Sequence, residues 1–251
     1  MARQNGIIKL KGTIGDISFY KTGDGHLARE KGGVDASRIA NDPAFQRTRE
    51  NGSEFGAAGK GGKVLRNAIR ILLQNAKDKR VVSRLTTDLL KIVKTDATNE
   101  RGLRTIEKGD MSLLKGFEFN INGKLGSTLF VAFNKDFDRV SGEATVGIAP
   151  FSPKIRIAAP SGTTHFKMVM GAAEVDFVNE TSTFESDETA VLPYDSADTA
   201  QIDLSASVTA NSALPVVQVL GIEFYQEVNG AMYPLKNGSY NALSVIDVTT
   251  A

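Results

Sequence analysis

The spacing of apolar residues changes period along this chain, and the changes divide it into three parts. In residues 6–21, GIIKLKGTIGDISFYK, the apolar positions Ile8, Leu10, Ile14, Ile17 and Phe19 are rich in β-branched and aromatic character and predict strand. Thr22-Gly-Asp-Gly25 is a turn signal, and residues 26–30 return as a second strand, so the chain opens with a β-hairpin arm. Asp42-Pro43 then starts a helix, because the Asp side chain accepts from free backbone N–H groups and Pro suits the first helical position. Phe55, Ala58, Gly59, Gly62, Leu65, Ile69, Leu72 and Leu73 follow at three- and four-residue steps, giving an apolar face whose first half has little bulk. Such small residues let another backbone approach, whereas Asn51-Gly52 and the glycines mark candidate breaks. Asp78 caps a second helix with Val81, Val82, Leu85, Leu89, Ile92 and Val93 as its stripe, which makes residues 41–105 a helical hairpin.

After residue 106 the pattern turns to short alternating runs between turn signals. Residues 117–121, Asn122-Gly123 and residues 129–133 read as a hairpin. Further strands are expected at 144–149, 165–170, 174–178, 189–192, 201–204, 216–228, 232–235 and 240–248, with turns at Asn229-Gly230 and Asn237-Gly238. The expected fold class is α+β: an N-terminal β-hairpin arm (1–40), a helical hairpin (41–105) and a C-terminal antiparallel β-sandwich, immunoglobulin-like (106–251).

Charge sharpens this division. The net charge is only +1, but residues 1–40 carry +3, residues 41–105 carry +7 and residues 106–251 carry −9. A basic front and an acidic back suit head-to-tail contact between copies, with nucleic acid as the other polyanionic partner. Cysteine is absent from the 251 residues, which excludes disulfides and thiolate chemistry within this chain. No signal-peptide pattern and no bilayer-length apolar run is visible, so the expectation is cytoplasmic synthesis, with a final location in an assembled filament or particle inside or outside the cell.

Candidate chemistry is sparse. Residues 56–63, GAAGKGGK, fail as a phosphate loop, because Ala57 stands where the first glycine belongs and Val64 where the metal-binding hydroxyl belongs. The two histidines, His26 and His165, do not make a multi-histidine zinc site, and Ser161 with His165 lacks the strained turn of a nucleophile. Glu118 and Glu223 occupy matching places in two F/I-E-F segments, where alternation puts them on a wet face. The acidic clusters at 185–188 and 195–198 lack the spacing of a calcium loop. We therefore expect no enzyme, no catalytic residue, no metal and no cofactor.

Residues 6–21, NDPAFQRTRENGSEFG at 41–56 and GFEFNINGKLG at 116–126 together resemble an uncharacterised family of bacterial proteins, found mainly in Bacteroidota. The resemblance implies the same order of segments along nearly the whole chain and supplies no activity. The expected role is a non-enzymatic, self-assembling structural subunit of a filament, tube or phage-like particle. Its expected interface comprises Ile8, Leu10, Ile14, Ile17, Phe19, Phe55, Gly59 and Gly62, with copies of the chain as partners. The alternative is nucleic-acid association through a basic face of Arg47, Arg49, Lys60, Lys63, Arg66 and Arg70.

Overall fold

The computed structural model describes residues 2–30 and 32–250, apart from the side chains of residues 236 and 237. The chain divides into two compact units, Met1–Arg49 and Glu50–Ala251.

The first unit contains strands β1 (Ala2–Arg3), β2 (Gly12–Ile14), β3 (Ile17–Thr22) and β4 (Gly25–Glu30), antiparallel in the order β1-β4-β3-β2. The expected hairpin is β3–β4, closed at the pair Thr22↔Gly25. Its first strand does not run unbroken from residue 8, because the pair Ile14↔Ile17 closes a second tight turn in which Gly15 takes φ 54°. Helix α1 (Ala36–Asn41) follows, with the Asp35 carboxylate accepting from Ser37 N at 2.8 Å. Asp42 accepts from Ala44 N at 2.9 Å and starts the 3-10 turn Pro43–Phe45, which runs into helix α2 (Gln46–Ala68). Among the described residues 2–49, none is buried.

In the second unit, α2 continues through Asn51-Gly52 without a break and is followed by α3 (Arg70–Asn75) and α4 (Val81–Thr95). Of the α4 stripe, Val81, Leu85, Leu89, Ile92 and Val93 are buried, whereas Val82 is 47 % exposed. The short helices α5 (Leu125–Thr128) and α6 (Pro153–Arg156) interrupt the strands. Strands β5 (Phe133–Asp138), β6 (Glu143–Ile148) and β10 (Ile202–Ser207) form one antiparallel sheet in the order β10-β6-β5. The larger sheet contains β7 (His165–Asp176), β8 (Thr181–Glu188), β9 (Leu192–Pro193), β11 (Val216–Val228), β12 (Ala231–Pro234) and β13 (Ala242–Thr249). Its order is β12-β11-β7-β8, with β13 also on β11 and β9 also on β7.

The centre of the larger sheet is buried on both faces, which is why β7 and β11 read as nearly continuous apolar runs. Val169, Ala173, Val175, Val217 and Val219 join Leu65, Leu85 and Ile92 of the helices in one core. Phe166, Met168, Met170, Leu220 and Ile222 point the other way, onto Val146, Ile148 and Leu204 of the smaller sheet. The class is α+β with a sandwich-like C-terminal region, and the helices add a third layer that shares its core with the larger sheet.

Three expected strand placements are corrected. Residues 117–121 and 129–133 form no hairpin: Glu118 makes a single bridge to Ser244, and Leu129 bridges Ile157. Phe117 and Phe119, two residues apart, share one face as strand alternation requires and both enter the helix-facing core, but the segment takes β13 as its hydrogen-bonding neighbour in place of residues 129–133. Of the strand expected at 189–192 only Leu192 is strand, in β9, and β8 at 181–188 was not expected, because its acidic exposed sequence carries little apolar signal. The two runs at 165–170 and 174–178 are one strand, joined through Gly171, Ala172 and Ala173.

Candidate functional site

In the first unit, the expected interface residues lie in the open. Ile8 is 81 % exposed, Leu10 41 %, Ile14 62 % and Ile17 45 %, and Phe19 is half-buried. Ile7 is fully exposed. Residues 4–11 form no strand; instead the Gln4 side chain holds them. Its Oε1 accepts from Leu10 N at 2.8 Å and its Nε2 donates to Leu10 O at 3.3 Å and to Leu27 O at 3.0 Å.

Along α2 the small-residue face splits. Gly62 is buried, and a Cβ there would sit 3.4 Å from Leu89 Cδ1, so its neighbour is α4 of the same chain. Placing Gly62 in an inter-subunit contact is therefore corrected: it belongs to the interior. Gly61, which the periodicity did not single out, is the tighter position, with a Cβ meeting Ile106 Cδ1 at 2.2 Å. Phe55, 59 % exposed, and Gly59, with nothing within 4 Å of a Cβ, face outward. Beside them Gly52, Gly56, Ala57, Phe177 and Val178 line a groove of about 430 Å³. The glycine-rich residues 56–63 are thus part of one continuous helix.

The basic face is partly committed to the chain itself. Arg49 Nη1 donates to Ile39 O at 2.7 Å and Asp42 O at 3.0 Å, and Arg66 Nε donates to Gly62 O at 2.9 Å. Lys60 lies 3.7 Å from Glu180. Arg47, Lys63 and Arg70 are exposed.

The most concentrated polar chemistry was not legible in the sequence. Glu223, expected on a wet face, is 3 % exposed, because the helical layer covers that side of β11. Its carboxylate accepts from Asn75 Nδ2 at 2.8 Å and Tyr225 OH at 2.7 Å and lies 3.6 Å from Lys167 Nζ. Burial works against the Lys167 ammonium, but the Glu188 hydrogen bond and the Glu223 charge outweigh it and hold its pKa above the ordinary lysine value. Burial and the Glu223 hydrogen bond push the Tyr225 phenol up to about 12, so it keeps its proton at neutral pH. The adjoining cavity of about 200 Å³ is lined by Gln74, Asn75, Glu223, Tyr225, Pro234, Gly238 and Asn241. With its charges paired, the cluster ties the end of α3 to the sheet.

The other candidate residues stand apart. Glu118 accepts from Leu125 N and is raised by burial, so it and Glu223 have separate partners. His165 Nδ1 meets Thr164 Oγ1 at 2.9 Å, and its Nε2 lies 4.0 Å from Glu227. Among the described residues no group of three or more acidic or histidine side chains is arranged for a metal, and no helix is long and apolar enough to cross a membrane. No protein-family model, curated protein or solved structure matches the chain.

Proposed function

We propose that this protein is a non-enzymatic, self-assembling structural subunit of a filament, tube or phage-like particle. The observation that carries the reading is the first unit: four strands with no buried residue among those described and with Ile7, Ile8, Ile14 and Ile17 exposed. A small sheet gains its stability from a covered apolar face, and one with none is completed by another surface. Copies of the chain supply that surface, and the separation of +3 and +7 from −9 along the sequence favours a head-to-tail order. Electron microscopy and light scattering at low salt are expected to reveal large assemblies, and deletion of residues 1–33 to abolish them. A protein that stays monomeric at high concentration, with the deletion altering stability alone, overturns the reading.

The alternative, nucleic-acid association, rests on exposed Lys63 and Arg70 with Arg47. It requires binding to DNA or RNA that weakens steeply as salt rises.

A further inference from the structure

The larger sheet ends in an edge strand that has its own chemistry. Thr189 N donates to Met168 O at 3.0 Å, just beyond the β7–β8 ladder, which sets the alternation of that ladder. Odd-numbered residues of β8 bond to β7, and Ser182, Phe184 and Ser186 turn their N–H and C=O groups outward. These groups have no backbone partner among the described residues, and Ser182 and Ser186 are exposed. The side chains alternate as well. Phe184 packs at the margin of the helix-facing core, while Glu185, on the opposite face, is exposed. An open edge of this length is a template for another strand unless something blunts it, and here it carries acidic residues.

The N-terminal arm has the complementary alternation. Once residues 8–11 are extended, Ile8 and Leu10 share one face and Lys9 and Lys11 the other. The backbone N–H and C=O of Leu10 are already held by the Gln4 side chain, which occupies both as a neighbouring strand would.

We propose that residues 8–11 of one copy add as a strand to the β8 edge of the next copy, with Lys9 opposite Glu185, one of Ile8 and Leu10 opposite Phe184 and the other opposite Ser186. The assignment rests on the self-assembly reading and names its donor and acceptor. In either strand direction this register puts Lys9 beside the Glu185 carboxylate and one apolar side chain beside Phe184, and it uses the outward groups of Phe184 and Ser186. Gln4 acts as the latch: its amide must release Leu10 before β8 can take it.

The test uses the full-length chain, which lacks cysteine, so only introduced thiols can couple. Lys9→Cys protein is mixed with Glu185→Cys protein and oxidised; a covalent heterodimer is expected, and none with Lys63→Cys in place of Glu185→Cys. In parallel, Lys9→Glu and Glu185→Lys are each expected to raise the critical concentration for assembly by about tenfold. The double charge reversal restores it, which a folding defect would not do. Gln4→Ala is expected to shorten the lag before assembly. Assemblies that form without the 9–185 cross-link, or that ignore both charge reversals, overturn this docking and leave self-assembly standing. A chain that remains monomeric throughout overturns both.

Discussion

Lys167 Nζ lies 3.6 Å from Glu223 Oε2 and 2.8 Å from Glu188 Oε2, so one ammonium serves a buried and an exposed carboxylate at once. Removing the cation by Lys167→Met leaves Glu223 charged in a site where 4 % of its side chain is exposed. We expect a loss of about 3 kcal/mol, read as a lower urea midpoint, because an unpaired buried charge is costlier than a missing pair. Glu188→Gln, at the exposed end, is expected to cost under about 1 kcal/mol.

The same cluster makes stability fall at high pH. Tyr225 is raised from 10.0 to about 12, so the folded state holds a proton that the unfolded chain releases first. Lys167 is raised as well, and both contributions are complete below the unfolded values and vanish as pH climbs through the folded ones. Thermal midpoints are expected to decline between about pH 10 and pH 12. Tyr225→Phe removes part of that decline; an unchanged slope would show that the phenol does not take part.

Gly59 and Gly61, two positions apart in α2, are expected to respond oppositely to alanine. Gly61→Ala drives a methyl to within 2.2 Å of Ile106 Cδ1 and 3.1 Å of Phe177 Cδ1, so we expect a loss of about 2 kcal/mol. Gly59→Ala meets open space and gains helix propensity, for an increase of about 0.5–1 kcal/mol. Chemical denaturation of the two variants side by side gives the comparison. Two losses of equal size would mean that Gly59 is also covered.

Asp96 organises the connection after α4. Its carboxylate accepts from Thr98 N at 2.8 Å, Asn99 N at 3.1 Å and Thr105 N at 3.0 Å. Burial alone would raise its pKa, but these bonds and the Asn99 side chain hold it far below the ordinary value of 3.8. Its contribution is therefore present above the unfolded pKa and is lost as pH falls through the depressed folded one. Asp96→Ala is expected to cost about 2–3 kcal/mol, with lost hydrogen-exchange protection at Thr105 N–H as the local readout.

Much of the architecture was legible from spacing. The run at 216–228 is strand β11 over the same residues, five of the six stripe positions of α4 are buried, and Asp42-Pro43 starts the helical segment. These features depend on neighbours within a turn or two along the chain, so local sequence carries them. Features made by distant segments were not legible. Asn75 reaches Glu223 across 148 positions, and that approach turns a glutamate of ordinary strand alternation into a buried one. Residues 117–121 have strand composition, but both phenylalanines are drawn into a core built by helices that precede them. Strand β8 has Phe184 as its one apolar residue because it is an edge, and pairing with β7 alone makes it a strand. Gly61 and Gly59 look alike in α2; what separates them is Ile106, which arrives over one glycine and not the other. Period and capping are properties of a segment, whereas burial belongs to the surface that covers it.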